Sequence, residues 1–570
     1  MDIKEQANFI WSIADLLRGN FKQSEYGKVI LPFTVLRRFD CVLAPSKEEI
    51  LERNKSLAVS NKAPIFKKYT GHDYYNVSKF DFEKLIDDSN NIDTNLKDYI
   101  NGFSDDVKEI LDNFEIATII EKLKKAGLLY LVVQKFSEIN LGADTIDNLE
   151  MGYMFEELIR KFSEQSNETA GEHFTPREVI ELMVEVLLDT DLDEITTTDG
   201  KVITILDPAC GTGGMLSIAQ NKIRALNSRT TVVPFGQELN PETYATCKSD
   251  MILKNNTNSK IVFGNSFSED GFREQKFDYI LSNPPFGVEW KKVKNFIENE
   301  SKHKGYDGRF GAGTPRISDG SLLFLQHMIS KMQPIEKGGS RIGIVFNGSP
   351  LFSGDAGSGE SEIRKWIIEK DLLEAVIGLP DQLFYNTGIS TYVWILTNRK
   401  TDRRKGKIRL INGTSFFGKM RKSLGNKRNE ITESDRKEIV RLYSTYEHDE
   451  NYIDFDNDDF GYRKITIERP LYDENREVVV EKGNPKPNSK VRDTETVPFK
   501  EDIHEYFKRE VLPHVPDAWI DEKKTKIGYE IPFTRHFYKF TPLRESSVIL
   551  DEIKQLEEKI QKSLNELFKG

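Results

Sequence analysis

The chain has 570 residues, 30% charged and 38% hydrophobic, with a formal net charge of −11. That is too long for one ordinary domain, and the apolar fraction suits a globular protein of about three domains rather than a disordered one. No run of about 18 apolar residues could span a bilayer, no signal-peptide core opens the chain, three scattered cysteines make neither disulfides nor a zinc site, and the acidic balance is wrong for a protein that wraps nucleic acid unaided; a reducing cytoplasm is expected.

Residues 1–145 read as a helical domain. Phe9, Ile10, Ile13, Leu16 and Leu17 recur at helical spacing, as do Ile119, Ile120, Leu123 and the run from Leu128 to Val132. Polar loops such as Asp87-Asp88-Ser89-Asn90-Asn91 separate them. Next comes Gly171-Glu172-His173-Phe174-Thr175-Pro176-Arg177, ahead of a helix expected over 178–188. Thr175 suits the N-cap and Pro176 the first helical position. His173 has no second ligand at a helical or turn spacing, so no metal is expected.

From about 146 to 400, within a domain expected to span 146–430, short apolar runs alternate with helical periods. Strands are expected over 202–206, 231–236, 260–264, 277–282, 342–346, 373–378 and 391–396. Such alternation predicts an α/β fold with a doubly wound, mostly parallel sheet.

The first run feeds Asp207-Pro208-Ala209-Cys210-Gly211-Thr212-Gly213-Gly214, a glycine-rich turn before a helix. Dinucleotide, nucleotide and S-adenosylmethionine sites all use such turns. Leu216 stands where GxGxxG requires its last glycine, which argues against a nicotinamide or flavin. Glu238 ends the second run, where an acid can accept both hydroxyls of a ribose. Asn265 ends the third, where an adenine amino group would lie.

The fourth run ends in Asn283-Pro284-Pro285-Phe286. An Asn-Pro-Pro-aromatic turn can hold a planar amine and stack a ring upon it. That is the task of methylating an exocyclic amine, above all N6 of adenine.

Between Arg399 and Arg428 stand twelve Lys or Arg and one acid, Asp402. This basic stretch is a candidate contact with the DNA backbone or a partner, set against a plain charged hairpin. Gly413 to Met420 approaches a P-loop, but Met420 replaces the hydroxyl that binds magnesium. Residues 481–498 read as a linker or exposed loop. Ile549, Ile553, Leu556, Ile560, Leu564 and Leu567 form a short heptad-like stripe on a terminal helix.

Taken together, Phe174-Thr175-Pro176, the 207–214 turn and Asn283-Pro284-Pro285-Phe286 resemble the gamma group of amino-methyltransferases acting on DNA. The helical region, including Leu31-Pro32-Phe33-Thr34-Val35-Leu36-Arg37-Arg38, resembles the leading domain of modification (M) subunits of type I restriction-modification systems. Ser318 to Phe324 and Met420 to Glu430 are similar to those subunits too. The resemblance covers roughly residues 5–470. Cys210 stands where Ala, Gly or Ser is often seen.

The resemblance implies a site-specific DNA (adenine-N6) methyltransferase with S-adenosylmethionine as cofactor. It places the cofactor against Glu172, His173, Phe174, Thr175, Pro176, Arg177, Asp207, Gly211, Thr212, Gly213, Glu238 and Asn265. Asn283, Pro284, Pro285 and Phe286 become the catalytic loop. It also implies a specificity (S) subunit with two M per S, a restriction (R) subunit in the full complex, and residues 431–570 as a partner-contacting extension. The alternatives are a self-sufficient or other phage-defence adenine methyltransferase, or one acting on RNA or protein.

Overall fold

A computed structural model describes residues 3–165, 175–254, 256, 258–385, 387–424, 426–537 and 545–567. They divide into two units, Met1–Ile531 and Pro532–Gly570.

The helices expected at the start form between Ile3–Leu17 and Leu129–Ser137. Their apolar faces close on one core, in which Ile10, Ile13, Ile30, Phe33, Leu36, Leu96, Ile120, Val132 and Phe136 are fully buried. Phe33 stacks on Phe136 with ring centroids 5.7 Å apart. Arg37 and Arg38 are buried as well. Arg37 donates to the Ile139 carbonyl and Arg38 to that of Ile146, both at 2.8 Å. These charge-assisted bonds staple the helix Tyr26–Leu43 to the chain that leaves the helical region. The helix Asn148–Gln165 packs on the same core through Met151, Met154, Phe155 and Leu158.

Eleven strands follow in chain order: β1 (Val202–Asp207), β2 (Thr231–Glu238), β3 (Lys260–Phe263), β4 (Tyr279–Ser282), β5 (Arg341–Asn347), β6 (Leu373–Gly378), β7 (Thr391–Thr397), β8 (Lys407–Asn412), β9 (Gly418–Leu424), β10 (Lys427–Glu430) and β11 (Tyr452–Asp456). Nine of them form one sheet in the order β11-β8-β6-β7-β5-β4-β1-β2-β3. β3 to β5 run parallel through β2, β1 and β4, and β6 is parallel to β8. β7 inserts antiparallel between β5 and β6, and β11 closes the edge antiparallel to β8. The near-continuous burial of β4, β5, β6 and β7 follows from helices on both faces.

The sheet runs past residue 430, the boundary expected from the sequence. Helix Glu433–Ser444, opened by a Thr432/Asp435 capping box, adds Ile439, Leu442 and Tyr443 to the sheet core. β9 and β10 pair as a hairpin outside the sheet. The approach to a P-loop at 413–420 therefore ends in a strand, with no helix N-terminus to receive a phosphate.

Of the stretch expected as a linker or exposed loop, residues 481–492 are almost wholly exposed, while 493–498 form a strand of a second, smaller sheet. Strand Gly461–Glu468 pairs with Asp493–Pro498, Trp519–Ile520 and Lys526–Tyr529 over a small core of Ile467, Phe507 and Val511. In the second unit the terminal helix Ser546–Leu567 forms, and Ile549, Ile553, Leu556 and Ile560 on its apolar stripe are exposed. Among the described residues, no helix is long and apolar enough to cross a membrane.

Candidate active site

Strand order reverses between β1 and β4, which lie side by side in the sheet. In doubly wound sheets the crevice at such a point, beyond the carboxyl ends of the strands, receives ligands. The glycine turn leaves β1 and the Asn283 turn leaves β4, so the two central sequence signals meet at this edge.

Asp207, at the end of β1, is buried. Its Oδ1 accepts the Ala209 N–H at 3.0 Å and the Ser282 hydroxyl at 2.9 Å. Burial pushes its carboxyl up to about 7, against those two donors and with a smaller push from the charge of Glu238. The turn closes with the Gly213 N–H on the Cys210 carbonyl at 2.8 Å. Gly213 has φ +82°, and an added Cβ would lie 2.6 Å from Cys247 Sγ, so only glycine fits there. Gly211, at φ +52°, faces open space instead: nothing lies within 4 Å of an added Cβ. Thr212 beside it is half-buried.

Glu238 faces this turn from the end of β2. One carboxylate oxygen accepts the Gly211 N–H at 2.8 Å, the other the Asn240 N–H at 2.7 Å. These amides fix the carboxylate plane toward the glycine turn. Asn265, after β3, caps its own loop: its Oδ1 accepts the Phe267 N–H at 2.9 Å. The Ser266 hydroxyl donates to the Pro208 carbonyl at 2.5 Å, tying that loop back to the glycine turn.

Asn283 is half-buried, Pro284 buried and Pro285 half-buried. The Asn283 side-chain amide donates to Thr175 Oγ1 at 2.9 Å. Thr175 is thus not the N-cap that its sequence suggests. Pro176 takes that position with φ −57° and ψ 140°, and the helix starts at Arg177. Proline has no N–H to be capped and its fixed φ suits the entry, which frees the threonine hydroxyl for Asn283. Phe286 is only 7% exposed and belongs to the apolar core. Arg177 pairs with Glu181 at 3.1 Å and lies over the Tyr153 ring. Glu172, His173 and Phe174 lie outside the described residues.

The structure therefore brings Thr175, Asp207, Gly211, Gly213, Glu238 and Asn283 to one edge, with Asn265 at the neighbouring strand end. Sequence reasoning missed Ser282 and Asn240, which orient these groups, and it named Ser266 only as part of the Gly264-Asn265-Ser266 strand end. Asn240-Pro241 was legible as a helix start, since Asn240 does cap the helix Pro241–Leu253. Among the described residues, no group of three or more His, Cys, Asp or Glu could hold a metal ion.

The basic stretch divides: Arg399, Lys400, Arg404, Arg409 and Lys427 turn inward, whereas Arg403, Lys405, Lys407, Lys419, Arg421 and Arg428 are exposed. Arg399 pairs with Asp191 through two bonds of 2.6 Å. Lys400 pairs with Asp371 at 2.5 Å and Arg409 with Asp454 at 2.7 Å. Arg404 donates to the Tyr443 carbonyl, and Lys427, on β10, pairs with Glu178 beside Arg177. These cations neutralise acids inside the fold. Arg421 and Arg428 on the hairpin remain exposed.

The N-6 DNA Methylase family model matches residues 147–460, and that of the HsdM N-terminal domain matches residues 6–136. The chain is 26% identical to the type I restriction enzyme MjaIX methylase subunit of Methanocaldococcus jannaschii, over 81% of this chain and 80% of that one. It is 31% identical to the HindI methylase subunit of Haemophilus influenzae, over 48% of this chain and 55% of that one. Among solved structures, the methyltransferase subunit of a type I restriction-modification system from Streptococcus thermophilus superposes with a TM-score of 0.63 at 22% identity, covering 80% of this chain and 96% of that chain. A chain from a structure of type I complex assembly superposes at 0.51 and 19% identity, covering 98% and 97%.

Proposed function

The chain belongs to the N-6 DNA methylase family, and on that premise we propose that it moves a methyl group from S-adenosylmethionine to N6 of a flipped adenine in double-stranded DNA, as the modification subunit of a type I restriction-modification complex. The observation that carries the reading is the Asn283 turn, anchored on Thr175 beside the glycine turn. It puts an amine-binding group at the strand switch where a cofactor would lie.

The residues at hand fit the cofactor. The space over Gly211 admits close approach to backbone. A carboxylate has about four acceptor sites, so Glu238, held by two amides, can also take a ribose diol. Thr175 to Arg177 and the 207–213 turn would flank the remainder, with Glu172 to Phe174 adjoining, and Asn265 would meet the adenine ring. S-adenosylmethionine supplies a methyl group activated by a sulfonium.

The chemistry left to the protein is at the acceptor. The lone pair of the adenine amine is delocalised into its ring, so the amine is a poor nucleophile. Asn283 Oδ1 and the Pro284 carbonyl can each accept one of its N–H bonds. Two fixed acceptors favour a pyramidal nitrogen with its lone pair directed at the methyl. They stabilise the transition state more than the planar ground state. No strong base is needed beforehand, because the proton can leave after attack. The Thr175 hydroxyl acts by holding the Asn283 amide in orientation.

The amine is out of reach inside a duplex, so the base must leave the stack at a cost of a few kcal/mol. Stacking on Phe286 could return roughly 1–3 kcal/mol. Reading of the target sequence is assigned to an S subunit, with two M per S, and cleavage to an R subunit. We take residues 1–145 as the helical domain, 146–460, with helix Glu433–Ser444 and β11 completing its sheet, as the methyltransferase domain, and the chain beyond as the partner-contacting extension. The exposed stripe of the terminal helix supports that last assignment.

The test is Asn283→Ala in the assembled complex. Label transfer to DNA should fall at least about 10²–10³-fold, the scale for removing one preorganised transition-state partner, while cofactor affinity stays within about twofold. A variant that keeps most of its rate would remove the mechanism.

A further inference from the structure

Residues 287–320, which follow the catalytic turn, carry one arginine whose bonding is complete. Arg309 is 13% exposed in its side chain. Its Nε donates to Glu300 Oε1 at 3.0 Å and its Nη2 to Glu300 Oε2 at 2.7 Å. Nη1 donates to the Ser266 carbonyl at 3.0 Å, and Nη2 also donates to the Phe267 carbonyl at 2.6 Å. The remaining N–H of Nη1 lies 3.1 Å from His327 Nδ1. His327 is buried, and burial together with the charge of Arg309 holds its pKa at about 3, so the ring is neutral and accepts. A guanidinium has five N–H donors, and all five are in use.

Two of these acceptors lie in the loop that follows β3. Its Asn265 is the group assigned to the adenine ring of the cofactor, and its Ser266 hydroxyl reaches the glycine turn. Phe267 of the same loop packs in a small core with Trp290, Ile297 and Phe310 of the 287–320 segment and with Leu323 of the helix that follows it. Arg309 is the polar centre of that contact.

We propose that Arg309 is a positioning residue for the cofactor: by fixing the Ser266 and Phe267 carbonyls it preforms the Gly264–Phe267 loop for an adenine ring. This rests on the cofactor reading given above. Lysine at this position keeps the charge against Glu300 but has three donors on one atom and cannot span two carbonyls and a carboxylate.

The experiment uses the full chain, wild type, Arg309→Lys and Glu300→Gln. S-adenosylmethionine binding is measured by calorimetry, and amide exchange of residues 264–269 is followed in cofactor-free protein. Arg309→Lys should weaken binding about tenfold, the worth of one charge-assisted hydrogen bond. It should also speed loop exchange, while kcat at saturating cofactor, measured with the specificity subunit added, stays within about threefold. Glu300→Gln keeps an acceptor at the guanidinium and should give a smaller change of the same kind. Unchanged affinity and exchange in both variants would overturn the proposal. So would lost activity without loss of affinity, or, if Arg309→Lys does not fold, wild-type affinity and exchange in Glu300→Gln. Wild-type protein that binds no S-adenosylmethionine would instead overturn the cofactor reading.

Discussion

The Asn283 side-chain amide rests on the Thr175 hydroxyl at 2.9 Å, across 108 residues of chain. This bond joins the Thr-Pro turn to the Asn-Pro-Pro-Phe turn and sets which end of the asparagine amide faces Thr175. Thr175→Val keeps the shape and removes the acceptor. We expect kcat to fall about tenfold, as for loss of one neutral hydrogen bond near the reacting group. KM for the cofactor should change less than threefold, and Thr175→Ser should restore most of the rate. Steady-state kinetics of the three proteins checks this.

Asp207 predicts a pH dependence of stability. Its pKa rises from the ordinary aspartate value of 3.8 to about 7 in the fold. Between those values the folded protein holds a proton that the unfolded chain has lost. Stability from this group is therefore greatest below about pH 4 and falls as pH rises to about 7, by on the order of 4 kcal/mol. Asp207→Asn keeps an oxygen for Ala209 and Ser282 but cannot titrate. Urea unfolding of both proteins from pH 4 to 8 should show the wild type losing ground to the variant up to pH 7, then holding constant. A pH-independent difference would contradict this assignment.

How far the site could be read from the chain depended on the kind of interaction. Leu373–Gly378 was legible because a buried strand must be apolar on both faces, and the chain order of glycine turn, acid and Asn-Pro-Pro turn placed them all at strand ends. The antiparallel insertion of β7 was not legible, since apolar runs carry no direction. The β9–β10 pair was legible only as the charged-hairpin alternative, because Lys and Arg content does not show whether a stretch pairs as strands or meets a partner. The inward pairing of Arg399 with Asp191 was invisible because the partners lie 208 residues apart. A local charge count cannot tell a surface patch from a set of buried pairs.

Phe286 should prove to be a folding residue as well as a base contact. At 7% exposure it is part of the sheet core. Phe286→Ala should lower unfolding free energy by about 3 kcal/mol, within the range for large-to-small core changes, and should raise KM for DNA. Phe286→Tyr should cost less in both. Denaturant unfolding and fluorescence of 2-aminopurine at the target position separate the two effects.

The inward basic residues make a matched pair of predictions. Arg399→Met leaves the buried Asp191 carboxylate without its bidentate partner and should cost about 2–3 kcal/mol of stability, the low end for broken buried pairs because Arg399 is 25% exposed. Arg421→Ala, on the exposed face of the hairpin, should change stability by less than about 0.5 kcal/mol. If that hairpin meets DNA phosphates, the same variant should reduce the salt dependence of DNA binding by about one ion.

The decisive experiment is methyl transfer from labelled S-adenosylmethionine to unmethylated bacterial DNA, with nucleoside analysis of the product. It is run with this chain alone and with the chain co-expressed with a specificity subunit. N6-methyladenine should form only with the partner present. N6-methyladenine from the chain alone would contradict the subunit assignment and direct attention to base recognition beyond residue 430. No methyladenine in either case, with cofactor bound, would contradict DNA as the substrate.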